Sequence, residues 1–267
     1  MTGQHYVRAF AGIVRRELLR FVQQKERLFA ALVRPLVWLL IFAAGFRAAL
    51  GISIIPPYQT YITYDVYIVP GLIAMIQLFN GMQSSLSMVY DREMGSMRVL
   101  MITPLPRGFL LVSRLFAGVA VSLLQVYIFL LIAYAFEIEL PPFGYLAAMP
   151  AMILTGMMLG ALGMLLSSTI KQLENFAGIM NFVIFPMFFA SSALYPLWKI
   201  QESSLILYQI CNWNPFTYAV ELIRFALYLE INVTALLVIL GAFFVFLSAA
   251  ILAYDPAKGI QHRKAGA

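Results

Sequence analysis

Residues that could perform acid–base, nucleophilic or metal chemistry are few in this chain and lie far apart. The chain has two histidines, His5 and His262, one near each end, and a single cysteine, Cys211. One cysteine excludes a disulfide framework and a cysteine-ligated metal cluster. The acids nearest the apolar segments are Asp65, Glu137, Glu139, Glu221 and Glu230. A membrane enzyme needs such groups clustered at one depth, so their scatter argues against catalysis and against a metal site.

A stripe of polar side chains runs along the apolar segment 67–90. Its members are Gln77, Asn80, Ser84 and Ser87. Spacings of three, four and three residues put them on one face of a helix. Lipid would penalise such a face, which therefore should meet protein or water. The stripe either forms interhelical hydrogen bonds, with Ser122 and Gln125 as candidate partners, or lines a substrate pathway.

A charged segment, 91–107, follows this stripe. It begins with acidic residues, continues with mixed charge and an apolar run, and ends at prolines. This pattern predicts a short amphipathic helix on the membrane surface. The segment is either an interfacial connection between two spans or a docking site for a cytoplasmic partner.

The elements that must position these residues follow from the composition. Of the 267 residues, 62% are hydrophobic and 11% are charged. Soluble domains average ~25% charged residues, and disordered chains are less hydrophobic and more charged. A transmembrane helix needs ~20 apolar residues, so the composition predicts an all-α membrane protein with one membrane domain, 1–267.

Six apolar segments are candidate transmembrane spans: 28–52, 67–90, 109–136, 145–169, 176–195 and 233–254. In the first span, Arg34 and Arg47 bracket twelve uncharged residues, too few to cross ~30 Å of hydrocarbon. We therefore expect both guanidinium groups to reach toward opposite membrane faces. Residues 1–27 resemble an amphipathic interfacial helix rather than a cleavable signal peptide.

Residues 196–232 form neither a clean span nor a clean loop. Two apolar pieces, 203–211 and 216–229, are separated by Asn212-Trp213-Asn214-Pro215. Their lengths suit a re-entrant or interfacial segment. The sequence therefore predicts six spans with a re-entrant segment between spans five and six; seven spans is the alternative. Gly156, Gly160 and Gly163 in span four allow close helix approach, and packing within the chain is favoured over dimerisation.

The distribution of positive charge predicts the topology. With both termini in the cytoplasm, fifteen of the eighteen Lys and Arg residues fall inside, including those of the tail, 255–267. A seventh span would move the tail outside and weaken this bias. The net charge of +6 therefore reports topology and not nucleic-acid binding.

Three motifs in order resemble those of the ABC-2 type transporter permeases. The first is the coupling segment of that family, an aromatic-Asp-Arg-Glu-x-Gly-Thr run followed by Thr-Pro and Arg. Its matching positions are Tyr90, Asp91, Arg92, Glu93, Gly95, Thr103, Pro104 and Arg107, with Ser96 in place of the usual Thr. The second is Ala193-Leu194-Tyr195-Pro196, and the third runs from Asn214-Pro215 to Arg224, with Glu221 where the family usually has Asp. Together they cover nearly the whole chain and most resemble the drug and lipo-oligosaccharide exporters.

The resemblance implies the membrane subunit of an ATP-driven exporter in a bacterial inner membrane. Two copies of the chain would pair as a homodimer, and two copies of a separate ATP-binding subunit would hold ATP and Mg. No cofactor is expected on this chain, because its sequence has no phosphate-binding Gly-x-x-x-x-Gly-Lys-Ser/Thr loop. The resemblance assigns ATPase coupling to Asp91, Arg92, Glu93, Gly95, Met97 and Arg98. It assigns an outer gate to Asn214, Pro215, Glu221 and Arg224, although the last two could equally be a structural i, i+3 ion pair.

Two alternatives belong to other functional classes. An ion-coupled secondary transporter would need an ionisable residue near the midplane to couple ions, and the second, third and fifth spans offer only Arg114, near the start of the third. A non-transporting membrane enzyme or scaffold is the other alternative. The substrate stays open among drug-like amphiphiles, lipid-linked saccharides and small hydrophobic metabolites.

Overall fold

Helices account for the regular secondary structure of the part of the chain that the structure describes. The computed structural model describes residues 3–23, 25–46, 56–60, 62–93, 105–170 and 172–253. In these ranges it has ten helices: α1 (Gly3–Gln23), α2 (Lys25–Phe46), α3 (Tyr64–Glu93), α4 (Arg107–Ala135), α5 (Gly144–Thr169), α6 (Leu173–Phe189), α7 (Leu197–Ser203), α8 (Leu205–Trp213), α9 (Pro215–Leu227) and α10 (Val233–Ala253). The prediction of an all-α protein is confirmed.

Four of these helices contain apolar stretches long enough to cross a membrane. They are Tyr64–Tyr90, Gly108–Ala135, Gly144–Thr169 and Val233–Ala253. Each agrees within three residues with the predicted second, third, fourth and sixth spans. The predicted first and fifth spans correspond to shorter apolar helices, Leu32–Ile41 and Leu173–Phe189. Arg47 and the tail 255–267 lie outside the described residues.

The predicted fifth span, 176–195, is wrong at its end. Helix α6 stops at Phe189, and residues 190–195 form an irregular segment before Pro196. In this segment the carbonyl oxygens of Ser192 and Leu194 accept hydrogen bonds from tyrosine side chains of α3. Buried backbone groups need partners, and here side chains from another helix take the place of the helical ladder.

Helix α3 is the central element of the fold. Residues 67–82 of this helix are all buried. It packs most extensively against α5, and it also contacts α4, α2, α6 and α9. Every functional side chain on α3 is therefore positioned by helices on several sides.

Glycines make the contact between α3 and α5 close. A Cβ at Gly81 would lie 3.0 Å from the Cα of Gly160, and a Cβ at Gly163 would lie 2.6 Å from the carbonyl oxygen of Gly81. Small residues let helix backbones approach in this way. The predicted use of the span-four glycines in packing within the chain is confirmed.

Helix α1 lies against the first half of α4 through aromatic side chains. The rings of Tyr6 and Phe109 meet edge to face with centroids 5.1 Å apart, and those of Phe10 and Phe116 do so at 5.7 Å. The arginines of α1, Arg8, Arg15, Arg16 and Arg20, are exposed. The helix thus has an aromatic face toward the protein and a basic face away from it.

Candidate functional site

Two groups of polar residues join α3 to its neighbours at different heights. We call the first the mid-bundle network; it comprises Gln77, Asn80, Gln125 and Thr155. The second lies where α3 begins, and we call it the Arg224 cluster; it comprises Tyr58, Tyr67, Ser192, Glu221 and Arg224. Both groups join α3 to helices distant in sequence.

Gln77 connects α3 to α5 in the mid-bundle network. Its Nε2 donates to the carbonyl oxygen of Met152 at 2.6 Å, and the hydroxyl of Thr155 donates to its Oε1 at 2.6 Å. Gln77 is 1% exposed and Thr155 is fully buried. Both ends of the amide are therefore satisfied inside the protein, as a buried amide requires.

Asn80 connects α3 to α4. Its Nδ2 donates to Oε1 of Gln125, and both residues are buried. The expectation that Gln125 partners the polar stripe is thus confirmed. The hydroxyl of Ser122 instead donates to the carbonyl oxygen of Val119 in its own helix, at 2.9 Å.

The helix α3 runs through all four positions of the predicted stripe. Ser84 is half-buried and donates to the carbonyl oxygen of Gly81 at 3.1 Å. The backbone of Ser87 continues the same helix. In this chain Gln77 and Asn80 are used in interhelical hydrogen bonds; lining of a substrate pathway by the stripe stays a prediction.

Arg224, on α9, is the centre of the second group. It is 3% exposed, it forms an ion pair with Glu221 one turn earlier, and its Nη2 donates to the carbonyl oxygen of Ser192 at 2.9 Å. The guanidinium carbon lies 4.1 Å from the ring centroid of Tyr67 on α3. The carboxylate, the carbonyl oxygen and the aromatic ring offset the cost of burying the guanidinium charge, while the Nε of Arg224 has no hydrogen-bond partner among the described residues.

The irregular segment 190–195 is held by side chains from α3 and from the start of α9. The hydroxyls of Tyr64 and Tyr67 donate to the carbonyl oxygens of Leu194 and Ser192 at 2.8 and 2.9 Å. The Nδ2 of Asn214 donates to the carbonyl oxygens of Met187 and Ala190, both at 2.7 Å. These bonds fix the segment between α6 and α7 to two other helices.

Asn214 also starts α9. Its Oδ1 accepts from the backbone N–H of Phe216 at 3.0 Å, and Pro215 occupies the first helical position. Asparagine at the N-cap and proline at the first position are a favoured helix start. The predicted gate residues Asn214, Pro215, Glu221 and Arg224 thus all lie on one element, and three of them make the contacts described.

Burial raises the pKa of two tyrosines beside this cluster. Burial raises the pKa of Tyr58 above its usual value of 10, although the nearby Arg224 opposes the rise. Burial also raises the pKa of Tyr228 to about 12, again against the opposing charge of Arg224. The rings of Tyr58 and Tyr228 meet edge to face, with centroids 4.9 Å apart. Both phenols therefore stay neutral at physiological pH.

The predicted coupling residues fall at the edge of what the structure describes. The backbone of Asp91, Arg92 and Glu93 forms the last three residues of α3. Gly95, Met97 and Arg98 lie outside the described residues. Their role stays a prediction.

Sequence reasoning missed Tyr64, Tyr67, Ser192 and Thr155. The tyrosines are spaced three residues apart at the start of span two, which could have indicated that they share a face and the same partner. Thr155 is a single hydroxyl in an apolar helix and gave no periodic signal. Across the described ranges, no group of three or more His, Cys, Asp or Glu side chains could hold a metal ion.

Comparison with known proteins gives a consistent result over most of the chain. Residues 8–228 match the family described as ABC-2 type transporter. The putative transport permease ycf38 of Cyanophora paradoxa is 26% identical over 230 residues, which cover 84% of this chain and 76% of that protein. Nodulation protein J of Rhizobium leguminosarum bv. viciae is 23% identical over 214 residues, 76% of this chain and 77% of that protein. The probable multidrug ABC transporter permease YbhR of Escherichia coli (strain K12) is 29% identical over 172 residues, 62% of this chain and 45% of that protein.

Proposed function

The chain belongs to the ABC-2 type transporter family, and we propose that it is the membrane subunit of an exporter for a hydrophobic or amphipathic substrate. ATP and Mg would bind to two copies of a separate ATP-binding subunit, and two copies of this chain would pair in a bacterial inner membrane. The observation that carries the proposal is the family match over residues 8–228. The relative YbhR, named as a multidrug ABC transporter permease, supports an amphipathic substrate.

We further propose six spans, with both termini in the cytoplasm and residues 196–232 re-entrant. Helices α8 and α9 have 9 and 13 residues, which correspond to ~14 and ~20 Å at ~1.5 Å per residue. Each is too short to cross ~30 Å of hydrocarbon. The placement of most Lys and Arg residues on one side supports the same topology.

The Arg224 cluster and Asn214 support an outer gate built from α9. Asn214 and Arg224 bind the backbone of residues 187–192, and Arg224 also stacks on Tyr67 of α3. Because α9 is bound to two neighbouring elements, it would move with the ends of α3 and α6. Displacement of any one of the three would be transmitted to the others.

The coupling role of Asp91, Arg92, Glu93, Gly95, Met97 and Arg98 rests on the family motif. A segment that follows the central helix directly in the sequence is suited to transmit force, because α3 contacts α2, α4, α5, α6 and α9. Docking of the ATP-binding subunit at the end of α3 would reach the mid-bundle network and the Arg224 cluster along one helix. We propose that the stripe residues Gln77, Asn80, Ser84 and Ser87 keep this helix in register with its neighbours and border the pathway.

The test is ATPase coupling in proteoliposomes. The chain would be reconstituted with its cognate ATP-binding subunit, and ATP hydrolysis and subunit binding would be measured. Loss of charge-assisted hydrogen bonds in Glu93→Ala is expected to weaken subunit binding about tenfold. The matched control is Glu139→Ala, an exposed acid in the loop between α4 and α5, which should leave binding unchanged.

Two outcomes would contradict the proposal. If Glu93→Ala and Gly95→Pro both leave ATPase binding and transport intact, the coupling assignment is wrong. If the chain alone moves a substrate down a proton or sodium gradient without an ATPase, the protein is a secondary transporter.

A further inference from the structure

Arg34 on α2 is an exposed residue that contacts the central helix α3. Its guanidinium carbon is 3.8 Å from the ring centroid of Phe79 on α3. Phe79 stands fifteen residues after Tyr64 and eleven before Tyr90, the two ends of the apolar stretch of α3. At ~1.5 Å per residue these separations are ~22 and ~16 Å. In the proposed topology, in which this stretch of α3 crosses the membrane, these separations would place the charge near the middle of the ~30 Å hydrocarbon layer.

The environment of Arg34 contains no countercharge in the part of the chain that the structure describes. The ion pairs there join other residues, and the side chain of Arg34 is exposed on the surface of the chain. Arginine stays protonated in proteins, so the group cannot lose its charge to suit the membrane. A charged side chain at this depth is costly, and such residues mark ligand or ion pathways.

The contact with Phe79 is made by one face of the guanidinium of Arg34. The ring covers one face of the planar guanidinium, while its N–H groups point outward in the plane and match two oxygens of a phosphate or carboxylate. Gln83 lies one turn after Phe79, on the same face of α3, and is half-buried. Its amide supplies a second polar group on this face.

The surface around Arg34 is apolar and aromatic. Val33, Val37, Leu40 and Ile41 on α2 are exposed. Trp38, one turn after Arg34, contacts Phe188 and Phe189 of α6 with ring centroids 5.6 and 5.7 Å apart. One cation bordered by apolar side chains is complementary to a molecule with an anionic head group and an alkyl tail.

We propose that Arg34 binds the phosphate-bearing head group of an amphiphile within the membrane, with its tail along α2 and α6. Under the proposed function, on which this assignment rests, that molecule is the transported substrate, which makes the substrate class anionic amphiphiles. Because arginine does not release its proton, the site binds charge without coupling transport to protons. The same chemistry could be supplied by a membrane phospholipid or by a separate phosphate-bearing amphiphile.

The experiment uses the full chain alone, without ATP or the ATP-binding subunit. Trp198→Phe and Trp213→Phe leave Trp38 as the single tryptophan of the chain. Its emission, from one turn away, reports binding of dodecyl phosphate in neutral micelles, with neutral dodecyl glucoside as the matched probe. Removal of a charged hydrogen-bond partner in Arg34→Gln is expected to weaken dodecyl phosphate binding about tenfold and to leave dodecyl glucoside unchanged. Arg34→Lys should retain part of the preference, and Arg20→Gln, an exposed charge on α1, should retain all of it.

A second arm identifies the source of the head group. The chain is placed in neutral phosphatidylcholine vesicles that contain a small fraction of a chain-brominated lipid. If a membrane lipid occupies the site, brominated phosphatidylglycerol should quench the emission of Trp38 more than brominated phosphatidylcholine does. Preference for dodecyl phosphate without this excess quenching indicates a separate amphiphile. Either result supports an anion site at Arg34.

The proposal is overturned if Arg34→Gln, folded as judged by circular dichroism, binds dodecyl phosphate as tightly as the parent chain. If Arg34→Gln does not fold, Phe79→Leu is used instead, because it keeps the charge and removes the ring. This variant is expected to bind dodecyl phosphate about threefold more weakly. Unchanged binding of dodecyl phosphate in both Phe79→Leu and Arg34→Lys overturns the proposal. Failure of ATPase coupling with intact phosphate binding would refute the proposed function and leave this site standing. Intact ATPase coupling with no preference for dodecyl phosphate would refute the Arg34 site and leave the proposed function standing.

Discussion

Substitution of Gly163 by alanine is expected to separate α3 from α5. The added Cβ would lie 2.6 Å from the carbonyl oxygen of Gly81 and 2.7 Å from the Oγ of Ser85. Ordinary contact begins near 3.4 Å, so the two helices must move apart by about 0.8 Å. The obstructing oxygen of Gly81 is backbone, and it cannot rotate away as a side chain would.

The size of the effect follows from the contact that is lost. A gap of ~0.5–1 Å forfeits a quarter to a half of the dispersion energy across an interface, and overpacking of a core typically costs ~1–3 kcal/mol. Movement of α5 also lengthens the two hydrogen bonds of Gln77 to Met152 and Thr155, now 2.6 Å each. The higher helix propensity of alanine offsets about 1 kcal/mol. We expect a net loss of about 2 kcal/mol in the free energy of unfolding.

The assay is unfolding of the purified chain by sodium dodecyl sulfate in mixed micelles, followed by circular dichroism. The matched control is Gly178→Ala on α6, where an added Cβ meets nothing within 4 Å. That variant should be unchanged or up to about 1 kcal/mol more stable, because only helix propensity acts. Equal stability of Gly163→Ala and Gly178→Ala would refute the close contact between α3 and α5.

Three other predictions concern the polar groups. Arg224→Met leaves the partly buried carboxylate of Glu221 unpaired and is expected to cost about 2–3 kcal/mol. The added change Glu221→Gln should restore part of this loss. A double-mutant cycle by the same unfolding assay checks this, and strict additivity would contradict the ion pair. Thr155→Val removes one donor to Gln77 and should cost about 1 kcal/mol, which the same assay would measure; a gain in stability would contradict the network. Burial raises the pKa of Tyr228 to about 12, whereas its pKa in the unfolded chain is near 10. The folded state therefore keeps the phenol proton to higher pH, and the free energy of unfolding should fall as pH rises between these two values. Tyr228→Phe should reduce that fall when thermal unfolding is measured against pH, and an unchanged pH profile would show that Tyr228 is not responsible.

The parts of the fold that the sequence predicted are those that depend on local pattern. Span length and helix type come from runs of apolar residues, so the second, third, fourth and sixth spans agree with the structure within a few residues. The stripe on α3 was visible because its spacing puts all members on one face. The fifth span was overestimated because residues 190–195 are apolar enough to continue a helix, while their backbone partners come from α3.

In the candidate sites, too, the residues were predictable from local pattern and their distant partners were not. Asn214, Glu221 and Arg224 were recognisable from the family motif, and their order along α9 follows from spacing. The partners of Arg224 on α3 and in the segment after α6 are 157 and 32 positions away in sequence, and no local pattern relates them. The same holds for Thr155, which is 78 positions from Gln77.

The sequence by itself determined that this chain is helical, apolar enough for a membrane and similar to transport permeases. Only the tertiary structure decided that α3 is central, that the glycines of α5 face α3, and that Arg34 lies on the ring of Phe79. The physical reason is that lipid tails are as apolar as leucine. Hydropathy therefore distinguishes a segment that lies in the membrane from one that lies in water. It does not distinguish the face of a helix that meets lipid from the face that meets another helix. Close backbone approach, hydrogen bonds and cation–aromatic contacts determine which face meets another helix, and each of them depends on residues far apart in the chain.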